Sequence, residues 1–200
     1  MGRGRRSAAA VALPGLEDAA PRFRVLVADP PWKFNDHLPG RGRGAAKHYP
    51  CMSSAEICAF PTPPMLDDAV LFLWRVAAMQ REAMDVIDAW GFTFKSELVW
   101  VKRTATGRRH FGMGRIVRSE HEVCLIATRG RPRPLNLSTR STFEAVAVRQ
   151  HSAKPDRFYD VVRELYEGPY VELFARRHRP GWTCFGNELD VANPEQEVGR

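Results

Sequence analysis

Apolar positions along the chain switch between short continuous runs and helical spacing. Val25-Leu26-Val27-Ala28 is an unbroken apolar run and predicts a buried strand over 24–28. Ala69-Val70-Leu71-Phe72-Leu73-Trp74 is apolar on both faces, the pattern of a central parallel strand covered by helices. Met79, Ala83, Val86, Ile87 and Trp90 then fall at helical spacing, and Gly91 supplies the stop. Strands follow over 97–101 and 121–128. Phe158, Val161, Val162 and Leu165 occupy i, i+3, i+4 and i+7 of a helix opened by Ser152-Ala153-Lys154-Pro155, with Pro155 at the first helical position. Gly168-Pro169 closes that helix, and strands are predicted over 170–174 and 182–185. Ser53 and Glu56 have capping-box spacing for a short helix to Phe60, which Pro61, Pro63 and Pro64 end. Residues 135–150 are polar and yield no element. Strands alternating with helices predict an α/β class with a mainly parallel sheet, helices on both faces and right-handed crossovers.

The outer segments lack this patterning. Residues 1–20, rich in Ala, Gly and Arg, read as a mobile basic tail, residues 21–190 as one domain and 191–200 as a second tail. A chain of 200 residues has room for one substantial core. No run of about 18 apolar residues exists, so no membrane span is expected. The weak apolar stretch over 7–13, stopped by Pro14, does not read as a secretion signal. Cysteines 51, 58, 124 and 184 form no C-x-x-C pair and no zinc spacing, so they read as reduced thiols of a cytoplasmic protein.

The net charge is +7. Its distribution says more than its size. Lys102, Arg103, Arg108, Arg109, Arg115 and Arg118 fall in one stretch without an acid, together with glycines 107, 112 and 114. A basic, glycine-containing loop fits a nucleic-acid backbone better than a merely solvated surface loop. The loop over 33–50 is long enough to be functional.

Candidate chemistry begins with Asp29-Pro30-Pro31-Trp32, which follows the first strand. Ligands of open α/β sheets bind at such strand ends. Asp29 offers carboxylate oxygens, Pro30 and Pro31 offer carbonyls, and Trp32 offers a stacking face, a set suited to a flat heteroaromatic amine. The same four residues also make an ordinary Pro-rich turn. Lys154, at the start of a helix, adds a full charge to a site already favourable to a carboxylate or phosphate. Glu172, at the end of a late strand, can bind ribose hydroxyls. The absence of Gly-x-Gly-x-x-Gly removes support for a nicotinamide cofactor. No H-E-x-x-H, P-loop or Ser–His–acid order is present, and no metal is expected.

Asp29-Pro30-Pro31-Trp32 resembles the amine-methyltransferase signature Asp/Asn/Ser-Pro-Pro-aromatic, and the chain from Phe23 to Asp190 resembles the MT-A family of adenine-N6 methyltransferases. The likeness includes Leu71-Phe72-Leu73-Trp74, Trp90-Gly91-Phe92, Trp100-Val101-Lys102 and Glu120-His121-Glu122-Val123-Cys124-Leu125. It continues through Ser152-Ala153-Lys154-Pro155, Glu172-Leu173-Phe174-Ala175-Arg176, Gly181-Trp182 and Gly186-Asn187-Glu188. It implies a class I, Rossmann-like fold with permuted motif order, using S-adenosyl-L-methionine. It also implies that Asp29 and the Pro30 carbonyl accept the adenine amine, that Trp32 stacks on the base, and that Lys154 holds the methionine carboxylate. Glu172, Phe174, Arg176, His178, Asn187 and Glu188 match positions around the cofactor's ribose and adenine, and Tyr49 and Glu122 match positions near the substrate base. Longer members carry an upstream acidic turn that Glu17-Asp18 does not match. The short, basic chain without an RNA-binding module makes DNA the expected partner, with RNA as the alternative. A homo- or heterodimer is compatible with the likeness. A non-catalytic subunit is disfavoured because Asp29, Trp32, Lys154 and Asn187 are all present.

Overall fold

The computed structural model describes residues 22–33, 51–112, 114, 116–147, 153–187 and 189. The two expected tails, most of the loop over 33–50, and Tyr49, Arg115 and Glu188 lie outside the described residues.

Among the described residues, seven strands and three helices follow in the order β1 (Phe23–Ala28), α1 (Ser54–Cys58), β2 (Met65–Arg75), α2 (Gln80–Ala89), β3 (Thr93–Arg103), β4 (His121–Arg129), β5 (Thr142–Val146), α3 (Asp156–Leu165), β6 (Tyr170–Leu173) and β7 (Trp182–Phe185). A 3-10 turn over Ala77–Met79 leads into α2. The strands form one sheet in the order β5-β3-β4-β2-β1-β6-β7. β1 pairs parallel with β2 and β6, β6 with β7, and β3 with β5.

The expected parallel character holds everywhere except at β4, which runs antiparallel to both of its neighbours. The strand at 69–74 is therefore parallel to β1 on one side and antiparallel to β4 on the other. The reversal has a chemical consequence: the first residues of β4 lie at the edge where β1, β2 and β3 finish.

β5 lies inside the stretch that yielded no element. Only Phe143 is buried along it, so its pattern is that of an edge strand with a single inward anchor. α3 begins one residue later than expected, because Pro155 is its N-cap, with an extended backbone. The short first helix does carry the capping box: the Ser53 side chain accepts from the Glu56 amide, and the Glu56 carboxylate accepts from the Ser53 amide at 2.7 Å.

Successive side chains of a strand point to opposite faces. Leu26, Ala28, Leu71 and Leu73 pack on one face with Ile57 of α1 and Ala83, Val86 and Ile87 of α2. Val25, Val27, Phe72 and Trp74 pack on the other with Phe158, Val161 and Val162 of α3. Burial on both faces explains why the central strands read as continuous apolar runs. No helix among the described residues is long and apolar enough to cross a membrane.

Candidate active site

Asp29 is the first residue after β1, and the turn that follows is held on three sides. The Trp32 amide donates to the Pro30 carbonyl at 2.8 Å, the Met52 amide to the Pro31 carbonyl at 2.8 Å, and the Lys33 amide to the Met52 carbonyl at 2.8 Å. Each proline carbonyl thus has one lone pair in use and one remaining. Trp32 departs further from expectation. Its indole N–H donates to the Trp74 carbonyl at 3.0 Å, and the residue is 4% exposed within the core. The expected stacking face is therefore not on offer. The ring anchors the turn to the end of β2, which leaves Asp29 at the sheet edge.

Four charged groups meet there. Lys154, in the segment before α3, donates to Asp29 Oδ2 at 2.6 Å and lies 3.3 Å from Glu122 Oε2. Glu122 Oε1 is 2.5 Å from the Lys102 ammonium. Glu122, the second residue of β4, stands opposite Trp100 of β3. Lys102 lies two residues beyond Trp100 on the same face of β3, that of α3. The ammonium of Lys154 also sits 4.9 Å above the Trp74 ring, a cation–π contact.

The surroundings shift Lys154 and Glu122 in opposite directions. Burial works against the Lys154 ammonium, but the Asp29 and Glu122 carboxylates outweigh it and hold Lys154 above its ordinary value. Burial likewise pushes Glu122 up, and Lys154 and Lys102 more than reverse this, leaving it below the usual carboxylate range. Lys154 is therefore a shared cation between two carboxylates as well as a charge near a helix start.

Glu172 has a different setting. It is buried near the end of β6, and the Tyr159 hydroxyl donates to it at 2.6 Å. Burial raises its carboxyl above the ordinary value despite Tyr159 and Arg179. The Arg179 guanidinium lies 3.3 Å from the Tyr159 ring centroid and donates to Asp156 Oδ1 at 2.7 Å. Tyr159, Arg179 and Asp156 were missed in the sequence. Tyr159 lies beside Phe158 in α3 and reads as one more apolar position, while Arg179 is one of several cations in an irregular turn.

Phe174 follows β6 with φ 61°, the left-handed region that an aromatic residue rarely occupies. The chain turns sharply there, and the Phe174 ring packs 4.9 Å from that of Phe60. Arg176 is half-buried and His178 exposed in the same turn, and Asn187 is exposed just after β7. These residues share the sheet edge of Asp29.

The basic loop is only partly available to a polyanion. Arg103 Nε donates to Glu144 at 2.9 Å, and Arg109 lies 3.2 Å from Glu120. Arg108 is exposed and makes no ion pair among the described residues.

Comparison with known proteins gives a consistent pattern. The MT-A70 family model matches residues 23–188. A Drosophila melanogaster N(6)-adenosine-methyltransferase MT-A70-like protein is 33% identical over 87% of this chain and 28% of its own length. The Homo sapiens N(6)-adenosine-methyltransferase catalytic subunit METTL3 is 30% identical over 84% of this chain and likewise 28% of its own length. The chain thus spans little more than a quarter of these curated relatives. The Mycoplasma type II methyltransferase M.MunI is 25% identical, over 84% of this chain and 78% of its own length.

Proposed function

The chain belongs to the MT-A70 family, and we propose on that premise that it is an adenine-N6 methyltransferase acting on DNA. The observation that carries the reading is the Asp29–Lys154–Glu122 cluster at the end of β1.

S-adenosyl-L-methionine supplies an activated methyl group on a sulfonium. The residues present fit it: an anion and a cation 2.6 Å apart, Asp29 and Lys154, complement a zwitterionic amino-acid end. Arg176, His178 and Asn187, from the two turns beside Asp29, suit ribose and adenine.

The adenine amine is a poor nucleophile because its lone pair is delocalised into the ring. Asp29 and the remaining lone pair of the Pro30 carbonyl accept its two N–H groups, which turns the nitrogen lone pair toward the methyl carbon. With the cofactor bound, the methyl carbon–sulfur bond would break as the nitrogen–carbon bond forms, the sulfur leaving as a neutral thioether, and the carboxylates of Asp29 and Glu122 would stabilise the positive charge left on the amine. The nitrogen then sheds its proton without requiring a strong base. Lys154 fixes Asp29 in orientation, so the acceptor geometry is set before the amine arrives. Trp32 acts from below as the anchor of the turn.

DNA is favoured by the basic composition and by the likeness to a type II methyltransferase along most of that protein's length. RNA is the second reading, supported by the higher identity to proteins named N(6)-adenosine-methyltransferases. Transfer of a labelled methyl group to matched DNA and RNA pools decides between them. The expected result is labelling of adenine N6 in DNA, lost in Asp29→Ala while S-adenosyl-L-methionine binding, weakened by the missing carboxylate, stays measurable. Full activity in Asp29→Ala would overturn the reading.

A further inference from the structure

A second group of charged and aromatic side chains lies beside the Asp29–Lys154 pair, and the methyl-transfer steps make no use of it. Glu172 of β6 is the register partner of Val27 of β1, two residues before Asp29, so both carboxylates stand on the α3 face of the sheet. Glu172 Oε1 accepts from the Tyr159 hydroxyl at 2.6 Å, and Oε2 has no hydrogen-bond donor among the described residues. Tyr159 is buried, and its ring meets those of Phe158 at 5.1 Å and Trp182 at 5.3 Å. The Arg179 guanidinium lies 3.3 Å from the centroid of the same ring. Arg179 also donates to Asp156 Oδ1 at 2.7 Å, and Asp156 opens α3 two residues after Lys154.

These contacts close a circuit. Lys154 holds Asp29 at the end of β1, Asp156 holds Arg179, Arg179 covers Tyr159, and Tyr159 returns to Glu172 beside β1. The Arg179 side chain is only 10% exposed, and its Nε is buried without an acceptor among the described residues. An unpaired buried N–H is destabilising, and an apolar residue would cover the Tyr159 ring without that cost. What the guanidinium adds is its reach from the turn after β6 to the start of α3. That turn carries Arg176 and His178, so the circuit links the two sides of the cofactor site. Burial pushes the Glu172 carboxyl up and Asp29 adds to this, while Tyr159, Arg179 and Arg177 oppose it; Cys184 is its register partner on β7. With Oε1 taken by Tyr159, the lone pairs of Oε2 remain for another donor. Resting on the methyltransferase reading, we infer that Tyr159 and Arg179 are positioning residues: they hold Glu172 so that Oε2 accepts a ribose hydroxyl of S-adenosyl-L-methionine, and they fix the turn of Arg176 and His178 against the start of α3.

The test is a double-mutant cycle read by calorimetric titration with S-adenosyl-L-methionine. Tyr159→Phe keeps the ring and removes the hydroxyl, and it should weaken binding about tenfold, as should Glu172→Gln. Adding Tyr159→Phe to Glu172→Gln should cost less than about twofold more, because the hydroxyl acts through the carboxylate. Arg179→Met, which still covers the ring, should weaken binding about tenfold as well. Unchanged affinity in Tyr159→Phe or in Arg179→Met would overturn the inference, and so would additive losses in the cycle, which a merely structural tyrosine would produce. Carbon-13 NMR of the Glu172 carboxyl gives a readout without cofactor. Its titration should move to higher pH in Tyr159→Phe and in Arg179→Met, since both partners favour the carboxylate; an unmoved titration would show that neither acts on Glu172. A wild-type protein that binds the cofactor and methylates no adenine sinks the functional reading and leaves the positioning intact. No cofactor binding by the wild-type protein overturns both, whereas unchanged binding in the variants of a methylating protein overturns the positioning alone.

Discussion

Lys154 Nζ meets Asp29 Oδ2 at 2.6 Å across 125 positions of sequence. The lysine is 7% exposed in its side chain, so the pair is drawn largely out of water. Glu122 shares the same cation at 3.3 Å, and the three groups stand or fall together.

Replacing Lys154 by Met keeps its volume and removes the cation. Asp29 and Glu122 then face each other unscreened. The expected loss of stability is about 3 kcal/mol, read from urea unfolding. Methyl transfer should fall roughly 100-fold or more.

The two glutamates respond to pH with opposite sign. Glu122 has a lowered folded value, so its contribution is complete above the ordinary glutamate value of about 4.3 and is lost as pH falls through the folded value. Glu172 has a raised folded value. The native protein keeps that proton to higher pH than the unfolded chain, so stability declines as pH climbs from about 4.3 to the folded value. Urea midpoints between about pH 3 and pH 7 should show a shallower acid loss in Glu122→Gln, and in Glu172→Gln the disappearance of the decline above about 4.3.

Trp32→Phe removes the indole donor and leaves the buried Trp74 carbonyl without it. The expected destabilisation is about 2 kcal/mol. Because the ring offers no free face, KM for nucleic acid should hold while kcat falls, as the turn carrying Asp29 loosens. A rise in KM with kcat unchanged would restore the stacking role. Steady-state kinetics reads the split.

Gly186→Ala places a methyl group where the Ala175 carbonyl oxygen would be 1.9 Å away and its amide 2.7 Å away. The Ala175 amide donates to the Phe185 carbonyl at 2.9 Å in the same place, so the chain after β6 must separate from β7. The expected cost is about 2–3 kcal/mol, with weakened S-adenosyl-L-methionine binding measured by calorimetric titration.

Much of this architecture is carried by local pattern. The apolar runs of β1 and β2, the helical spacing of α2 and α3 and the Ser53–Glu56 cap each depend on neighbours within one or two turns, so the residues alone reveal them. The motif at 29–32 and the lysine before α3 are legible for the same reason, since their chemistry is in their side chains and their place at element ends follows from the flanking periods. β5 is not legible in this way, because an edge strand anchored by Phe143 alone has too little burial to impose a pattern.

Sequence by itself determined the α/β class, the central strands and the residues able to handle an amine. Tertiary structure decided what those residues do. It reversed β4, and so brought Glu122 to the end of β1. It converted Lys154 from a charge at a helix start into a cation shared by two carboxylates, and it buried the Trp32 ring that had read as a stacking face. Strand direction and order are settled by the packing of two whole sheet faces at once. A charge is assigned by the groups that meet it across the fold, and neither can be read from residues close in sequence.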